Sequence, residues 1–322
     1  MLFRSNHSPH LHFLIESGIV HVLLSLGRLV ISGRAYNISK FMPNGNLHQR
    51  PLDIVAACRS ADLGILVPAL AGLRRFVPFK KLHVIAANRN FSRFKRVLGD
   101  GVEFIDEDSL IPGMTLAELK KLPIRGFPRG AGWYFQQLLK LAFCFQKVEE
   151  DYFLIWDADT VPLRPLEFFD ESGRMLFTMA EEENGAYFDT YRKLLREEPH
   201  REFSFISQHM IVQKSIVREM LAKIETNFPG NDSWAWKIMR HLEGTSTNLF
   251  SEYEMLGHFI KNHYAERAAY RKLAWLRDGA LKTAVPSQED LSRLGQQYDF
   301  VAFESRHMPL RRFVRTVRSW LK

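Results

Sequence analysis

Short apolar runs and amphipathic patterns follow one another between residues 50 and 106. Runs of a few apolar residues predict buried strands, and apolar positions at helical spacing predict the helices between them. In chain order the pattern predicts a strand over Leu52–Ala57, a helix over Gly64–Phe76, a strand over Leu82–Ala87, a helix over Phe91–Leu98 and a strand over Val102–Ile105. Because strands that alternate with helices form doubly wound sheets, we expect an α/β fold.

The pattern resumes after a stretch rich in glycine, proline and arginine, PIRGFPRGAG at residues 123–132. That stretch predicts a loop whose arginines are suited to phosphate groups. The elements predicted beyond it are a helix over Trp133–Lys147, strands over Tyr152–Trp156, Met175–Ala180 and His209–Gln213, and a helix over Ala186–Arg196.

The first 50 residues differ from the body of the chain. Apolar residues from His10 to Ser32 are interrupted by Glu16 and Arg28, and the uncharged run Ser17–Gly27 has only 11 residues. A helix needs about 20 apolar residues to span a bilayer, so this segment is too short. We predict a helical extension over residues 1–50 that packs on the body of the protein, with membrane contact as the alternative.

Residues 306–322 predict a basic amphipathic helix. They carry six basic and no acidic side chains, while Leu310, Phe313, Val317 and Trp320 recur at helical spacing. One aromatic and one cationic face are typical of a helix at an anionic membrane surface. Two interpretations stay open: the helix lies on the inner face of the membrane, or its apolar stripe docks on its own domain.

The composition is that of an ordinary globular protein. The 322 residues are 46% hydrophobic and 25% charged, and the two cysteines, Cys58 and Cys144, lie far apart. This excludes a disulfide framework and a cysteine zinc cluster and fits a reducing compartment, so we expect a cytoplasmic protein. The 44 Lys and Arg residues outnumber the 36 Asp and Glu residues, and the net charge of +8 suggests an anionic partner.

Several common functional motifs are missing from the sequence. It contains no G-x-G-x-x-G, P-loop or H-E-x-x-H motif and no internal repeat. Dinucleotide-binding and NTPase functions therefore lose their main support. Nucleic-acid binding rests on charge alone, and the strongest basic cluster is the C-terminal helix rather than the sheet, so we expect no nucleic-acid partner.

Two Asp-x-Asp patterns occur, at Asp106–Asp108 and at Asp157–Asp159. About one is expected by chance in a chain of this length, so context must separate them. The second pair follows the apolar run Tyr152–Trp156, and strand periodicity puts its carboxylates on one side, about 6–7 Å apart. Such a pair is suited to a hard divalent cation and a nucleotide. The first pair is interpreted as the cap of a strand end.

Three segments resemble the nucleotide-sugar glycosyltransferases of GT-A fold, namely LDIVAACRSAD, GWYFQQLLKLAF and FLIWDADTVPLRPL. Two later segments, SFISQHMIVQKS and FSEYEMLGHF, resemble the acceptor-side strand and helix of bacterial members, so the resemblance spans residues 52–265. It implies a GT-A-like (Rossmann-like) mixed sheet flanked by helices. The nucleotide-sugar-binding half would cover residues 51–165 and the acceptor half residues 166–305, with helical extensions at both ends.

Candidate nucleotide-binding residues follow the early strands and lie on the helix before the second acidic pair. Ligands of a doubly wound sheet bind at the carboxyl ends of its strands, and residues four apart on a helix share a face. The candidates are Arg59, Ser60, Asp62, Asn88, Gln136, Gln137, Lys140 and Asp157. For the three helix residues, a polar surface without a ligand is the alternative.

The resemblance also implies a metal site. It suggests that Asp157 lies near the ribose and that Asp159 ligates Mn²⁺ or Mg²⁺ on the diphosphate, with Asp157 as a second ligand. A late histidine often completes such sites. His258, His263 and His307 are candidates, and His307 suits best because it follows the apolar run Phe300–Phe303.

A carboxylate near Ser251 is the candidate general base. The resemblance implies that an acidic residue at the start of this helix takes the proton of the acceptor hydroxyl. Ser251 and Glu254 have the spacing of a capping box, which gives Glu254 a structural role and leaves Glu252 as the first choice. The Glu-Asp pair of the family is Glu252-Tyr253 here, and Glu254 stays the alternative base.

The leading hypothesis is a metal-dependent, inverting glycosyltransferase of hexosyl or deoxyhexosyl type. It would move a sugar from a nucleotide-sugar donor to a surface-polysaccharide or lipid-linked glycan acceptor. The alternative is a Mg²⁺-dependent nucleotidyltransferase, which also uses paired aspartates. That class usually has a glycine-rich basic signature after its first strand, and CRSADLG matches it poorly.

Overall fold

The computed structural model describes residues 50–122, 130–244, 248–279 and 285–304, and the backbone of three short strands between residues 24 and 37. The strands are β1 Leu24–Ser25, β2 Arg28–Ile31, β3 Arg34–Asn37, β4 Leu52–Ala57, β5 Phe79–Ala86, β6 Val102–Asp106, β7 Tyr152–Trp156, β8 Thr160–Pro162, β9 Met175–Thr178, β10 His209–Gln213, β11 Ala268–Arg271, β12 Trp275–Leu276 and β13 Phe300–Ala302. The helices are α1 Leu63–Phe76, α2 Phe91–Leu98, α3 Leu116–Leu119, α4 Ala131–Ala142, α5 Gly185–Leu195, α6 Lys214–Asn227, α7 Trp234–Arg240, α8 Glu252–His263 and α9 Gln288–Leu294.

A five-stranded sheet in the order β10-β7-β4-β5-β6 forms the centre of the fold. β4 pairs in parallel with β5 and β7, β5 pairs in parallel with β6, and β10 runs antiparallel to β7. The inner strands β4 and β7 are almost entirely buried, which explains why their sequences are continuous apolar runs. The expected α/β fold, a mixed sheet flanked by helices, is confirmed.

Most predicted elements of the body are present. The bounds of β4, β7, β10 and α2 agree with the sequence prediction. Helix α4 is shorter than predicted, because it ends at Ala142 and Phe143–Phe145 form a 3-10 turn. The guanidinium of Arg218 donates to the carbonyl of Cys144 at 2.9 Å, so this turn replaces the last part of the predicted helix without leaving that carbonyl unpaired.

The short strand β13 fixes the segment that carries the second acidic pair. β13 runs antiparallel to β8, with Ala302 opposite Thr160. The backbone N–H of Phe303 then donates to the carbonyl of Asp159 at 2.8 Å. Asp159 and Glu304 are therefore brought to the same place, although they lie far apart in the sequence.

The first acidic pair has the capping role expected for it. β6 ends at Asp106, whose side chain accepts a hydrogen bond from the backbone N–H of Asp108 at 3.3 Å. The hydroxyl of Ser109 donates to the carbonyl of Asp106 at 2.8 Å. This pair closes a strand end with its own backbone, as Asx turns commonly do.

The predicted N-terminal helix is wrong where the structure describes this segment. β1, β2 and β3 form an antiparallel sheet, with Leu24 opposite Leu29 and Ile31 opposite Arg34. Two residues separate consecutive strands in the sequence, and each pair contains a glycine, Gly27 or Gly33. Two-residue connections with glycine favour β-hairpins, and this sequence signal outweighs the apolar stretch from which the helix was predicted.

The remaining predictions for the termini lie outside the described residues. They concern the rest of residues 1–50, the basic helix over residues 306–322, and His307. In the part of the chain that the structure does describe, no helix combines the length and the apolar character needed to cross a bilayer.

Candidate active site

An open cleft of about 840 Å³ lies at the carboxyl ends of β4 and β7. In sheets of this kind, loops at the carboxyl ends of parallel strands form the ligand site. The residues lining the cleft are Ala57, Arg59, Asp62, Trp133, Gln136, Gln137, Lys140, Asp157, Ala158, Asp159, Glu182, Tyr187, Ile206, Gln208, Asn248, Ser251, Glu252, Tyr253, Arg277 and Glu304.

A buried ammonium group lies between two carboxylates in this cleft. The Nζ atom of Lys140 is 2.6 Å from Oδ1 of Asp157 and also forms an ion pair with Oε1 of Glu252. The side chains of Lys140 and Glu252 are 4% and 3% exposed, whereas that of Asp157 is 24% exposed. These ion pairs connect three elements: α4, which carries Lys140, the end of β7, which Asp157 follows, and the start of α8, which carries Glu252.

Neutral groups complete this cluster. The hydroxyl of Tyr253 donates to Oδ1 of Asp157 at 3.0 Å, and its ring lies 4.7 Å from the ammonium of Lys140. The side-chain carbonyl of Gln137 accepts the backbone N–H of Glu252 at 3.1 Å. Because Oδ1 of Asp157 already accepts two hydrogen bonds, Oδ2 is the oxygen best able to bind a ligand.

Burial and charge oppose each other in this cluster. Burial alone would lower the pKa of Lys140, but the charges of Asp157 and Glu252 raise the pKa above its ordinary value. Burial raises the pKa of Glu252, and the charge of Asp157 adds to that rise while Lys140 opposes it. Lys140 therefore stays an ammonium ion, and it stabilises the ionised form of Glu252.

Asp159 also lies in surroundings that disfavour its negative charge. Burial, with the charges of Asp157, Glu304 and Asp62, raises the pKa of its carboxyl group to about 7. Three other carboxylates raise the pKa of Asp159, and the positive charge of nearby Arg59 does not cancel their effect, so a further positive ligand would stabilise the ionised form.

Acidic side chains outnumber basic ones in the lining. The six acids are Asp62, Asp157, Asp159, Glu182, Glu252 and Glu304, and the three cations are Arg59, Lys140 and Arg277. This excess of carboxylates fits a divalent cation. Within the described ranges, no group of three or more His, Cys, Asp or Glu residues is arranged to hold a metal by itself. Asp157 and Asp159 alone suit Mg²⁺ or Mn²⁺, since such ions often take one or two carboxylates and complete their shell with phosphate and water.

Two cleft residues that the sequence analysis missed, Arg277 and Glu304, share one ion-pair network. Nε of Arg277 is 2.8 Å from Oε1 of Glu304, and its NH1 atom pairs with Glu182. These glutamates raise the pKa of Arg277 against the effect of its burial. Neither residue follows a motif or a periodic pattern, so only the fold brings them to the site.

The predicted nucleotide-binding residues divide into two groups. Gln136, Gln137, Lys140, Asp157, Arg59 and Asp62 line the cleft. Ser60 and Asn88 do not: the hydroxyl of Ser60 accepts from Arg93 at 2.9 Å, and Asn88 is exposed at the start of a 3-10 turn. Ser60 thus faces Arg93 of α2 although it follows β4, and Asn88 follows β5, whose carboxyl end does not line the cleft.

Two of the predicted cationic contacts are already occupied. Arg59 forms a two-pronged ion pair with Asp62, at 2.8 and 2.9 Å. Lys140 contacts Asp157 and Glu252, so its ammonium is not free to bind a phosphate group of a nucleotide. Lys140 thus lines the cleft but faces protein carboxylates, and its part in nucleotide binding stays a prediction.

Glu254 lies outside the cleft lining and has a structural role. Its Oε1 atom accepts from the hydroxyl of Ser204 at 2.5 Å, and its Oε2 atom lies 3.0 Å from Nε2 of His258. Ser251 accepts the backbone N–H of Glu254 at 3.3 Å, so half of the predicted capping box is present. The Glu254 carboxylate binds these neighbours instead of returning to Ser251, which leaves Glu252 as the acid of α8 that faces the cleft.

The two histidines of α8 make their contacts outside the cleft. His258 is fully buried against Glu254 and the rings of Phe188 and Tyr191. His263 pairs with Glu197 at 2.9 Å. Neither lines the cleft, and His307 lies outside the described residues.

A second, wider groove of about 1690 Å³ adjoins the cleft. The two share Glu182, Ile206 and Arg277, so the Arg277–Glu182 ion pair stands at their common wall. Partly exposed aromatic rings and charges of both signs line the groove, among them Phe203, Trp275, Arg201, Lys272, Glu181 and Glu183. A lining of this kind suits a polar molecule with apolar ring faces better than an acyl chain.

The model of the Family of unknown function (DUF6492) matches residues 60–281, more than half of the chain. No curated protein sequence matches the chain. Among solved structures, the fold is similar to the galactosyltransferase LgtC in complex with donor and acceptor sugar analogs, at 13% identity and a TM-score of 0.45 over 83% of this chain and 96% of that one. Mouse xyloside xylosyltransferase 1 in its apo form is similar at 13% identity and a TM-score of 0.45, over 81% of this chain and 100% of that one. Likenesses this weak carry no inference about activity.

Proposed function

The chain belongs to the Family of unknown function (DUF6492), and from the chemistry of its cleft we propose that it is a cation-dependent glycosyltransferase. It takes a sugar from a nucleotide-sugar donor and transfers it to a glycan or lipid-linked acceptor. The sugar is of hexosyl or deoxyhexosyl type. The resemblance of its acidic strand and flanking segments to nucleotide-sugar glycosyltransferases suggests the activity, and the geometry of the cleft supports it.

One observation carries this proposal. The paired acids Asp157 and Asp159 follow the central strand β7, and a buried third acid, Glu252, faces the same cleft from α8. Asp157 and Asp159 are suited to the donor, and Glu252 is suited to proton transfer from the acceptor. A single cleft therefore contains groups for both substrates of a transfer reaction.

The charge of the cleft supports cation dependence. A nucleoside diphosphate is an anion, and six carboxylates against three cations would repel it. A divalent cation between Asp157, Asp159 and the diphosphate would remove that repulsion and neutralise the charge that builds up on the leaving nucleoside diphosphate. Oδ2 of Asp157 and the carboxylate of Asp159 are the groups that would hold it, with Arg59 and Arg277 as fixed positive charges at the edges.

Glu252 is the proposed general base of an inverting transfer. Its carboxylate lines the cleft, and the ion pair with Lys140 stabilises its ionised form, as a base requires. In this role Glu252 accepts the proton of the acceptor hydroxyl as that oxygen attacks the sugar. The acceptor lies in the groove beyond the Arg277–Glu182 ion pair, from which its hydroxyl would enter the cleft that Glu252 lines.

We place the reaction in the cytoplasm, at the inner face of the membrane where the acceptor is lipid-linked. The support for this is the reducing compartment suggested by two distant cysteines and the basic amphipathic sequence of residues 306–322.

A panel of nucleotide sugars tests the proposal. The full-length protein is mixed with UDP, GDP and CMP sugars, each with Mn²⁺, with Mg²⁺ or with EDTA, and both the melting temperature and the release of nucleotide are measured. We expect one donor to raise the melting temperature and to be hydrolysed slowly, in each case only with a cation. Release of pyrophosphate from a nucleoside triphosphate and a sugar phosphate, with no donor hydrolysed, would instead identify a nucleotidyltransferase.

A further inference from the structure

Lys140 connects parts of the cleft that the chain order keeps apart. It lies on α4, whereas its partners are Asp157 after β7 and Glu252 at the start of α8. The distance to Asp157 Oδ1 is 2.6 Å, and the second partner is Oε1 of Glu252. One ammonium group thus contacts both the carboxylate proposed for the donor, Asp157, and the carboxylate proposed for the acceptor, Glu252.

The position of Lys140 leaves it no freedom to follow a substrate. Its side chain is 4% exposed, and the ring of Tyr253 lies 4.7 Å from Nζ. Breaking a buried ion pair is strongly destabilising, because it leaves an unpaired charge in a medium of low dielectric constant. Lys140 therefore acts on the protein rather than on a ligand.

We infer that Lys140 is a positioning residue that holds Asp157 and Glu252 together before any substrate binds, and that it competes with a divalent cation for the charge of Asp157. The second part rests on the proposed function, because that function supplies the cation. The first part does not, since it concerns only the folded chain.

Two consequences follow from removing the ammonium group. Without it, Asp157 and Glu252 repel each other across the base of the cleft, so the cation-free protein should lose stability. Removal of the ammonium also frees Oδ1 of Asp157 from its hydrogen bond with Lys140 and takes away a positive charge that repels a cation. A divalent cation should therefore bind more tightly. A merely structural lysine would give the opposite second result, because a loosened cleft binds a cation more weakly.

Lys140→Met tests this, since methionine keeps an unbranched side chain without the charge. The matched control is Lys214→Met, because Lys214 is also buried but donates to the carbonyl of Val148 at 2.8 Å and does not line the cleft. Melting temperatures are measured in EDTA, and the affinity for Mn²⁺ alone is measured by calorimetry on the full-length proteins.

We expect Lys140→Met to lower the melting temperature in EDTA by about 5–10 °C and to tighten Mn²⁺ binding by about tenfold or more. Lys214→Met should also lower the melting temperature but leave the Mn²⁺ affinity unchanged. Unchanged or weaker Mn²⁺ binding by Lys140→Met overturns the competition between Lys140 and the cation.

A double variant decides the positioning role without any cation. Glu252→Gln added to Lys140→Met removes the unpaired buried carboxylate, so the double variant should melt at a higher temperature than Lys140→Met alone. If the double variant is no more stable than the single one, Lys140 does not hold Glu252 and the inference fails. If the wild type binds neither Mn²⁺ nor a nucleotide sugar, the proposed function fails, whereas this comparison still decides the positioning role.

Discussion

Gly257 of α8 lies directly beneath the ring of Phe205. A Cβ atom at this position would lie 2.0 Å from Cγ of Phe205 and 2.3 Å from its Cδ2, which is inside van der Waals contact. The backbone N–H of Phe205 also donates to the carboxylate of Glu254 at 3.4 Å. Because Gly257 has no side chain, α8, which carries Glu252, can pack closely against residues 204–206.

Gly257→Ala should displace α8 and destabilise the protein. Phe205 is 1% exposed and has no room to move, so overpacking should lower the free energy of unfolding by about 2–3 kcal/mol or more. The matched control is Gly132→Ala in α4, where nothing lies within 4 Å of the added methyl group. That change should stabilise the protein by about 0.5–1 kcal/mol, because alanine favours the helix. Urea denaturation measures both, and equal effects would contradict the close contact at Gly257.

Asp159→Asn should abolish cation-stimulated donor hydrolysis while the protein stays folded. The amide has nearly the volume of the carboxyl group but lacks the charge that a divalent cation requires, so a loss of about 10²-fold or more is expected. Hydrolysis of the active nucleotide sugar is measured against Mn²⁺ concentration, with circular dichroism as the check of folding.

The control for this change is Asp108→Asn in the other acidic pair. Asp108 contributes its backbone N–H to the cap of β6, and this bond survives the substitution. Donor hydrolysis should therefore stay near the wild-type rate. Equal losses in Asp108→Asn and Asp159→Asn would mean that the wrong acidic pair has been assigned to the cation.

The stability of the cation-free protein should fall as the pH rises from 5 to 8. Burial and the nearby carboxylates raise the pKa of Asp159 to about 7 in the folded state, whereas an unfolded aspartate titrates near 4. The folded state therefore binds this proton more tightly. Its contribution to stability, at most about 4 kcal/mol, is complete below about pH 4 and falls to nearly zero at pH 8, so about 3 kcal/mol is lost between pH 5 and 8.

Melting temperatures in EDTA across this range measure the effect. Asp159→Asn cannot ionise at this position, so its melting temperature should decline less between pH 5 and 8 than that of the wild type. Mn²⁺ should restore the wild-type stability at pH 8 more than at pH 5. Parallel curves for the two proteins would show that Asp159 is not the group responsible.

Glu252→Gln should lower the rate of sugar transfer by about 10²-fold or more and leave donor affinity nearly unchanged. The amide keeps the size of the side chain but cannot accept the acceptor's proton. Glu254→Gln is the control, because it disturbs the contacts with Ser204 and His258 and should lower the melting temperature instead. A large rate loss in Glu254→Gln without loss of stability would reverse the assignment. Full activity of both variants would favour a retaining mechanism.

Local patterns were sufficient to predict the framework of the site. The strands β4 and β7 are continuous apolar runs because both faces are buried, and Asp157 follows directly where β7 ends. The start of α8 could also be predicted, because Ser251 caps it through a bond within one turn. In each case the sequence signal, an apolar run or a capping serine, lies within a few residues of the element that it predicts.

Interactions between distant segments could not be predicted in this way. Whether Glu254 returns to Ser251 or binds Ser204 depends on how α8 packs, and the sequence of the helix is the same in both cases. Arg277 and Glu304 reach the cleft only because β12 and β13 pair beside β8. The glycines Gly27 and Gly33 carry a hairpin signal in the sequence, but the apolar stretch around them is equally compatible with a helix.

The pairing of β13 with β8 has a consequence for the biosynthesis of the protein. During translation, Asp157 and Asp159 leave the ribosome before β13, the strand that pairs beside them, has been made. Until the chain has been made past residue 304, the carbonyl of Asp159 lacks its partner at Phe303, and Glu304 and Arg277 cannot close the edge of the cleft. We therefore expect nascent chains that stop before β13 to contain much of the central sheet but no capacity to bind a donor, so the activity arises only after β13 has been made.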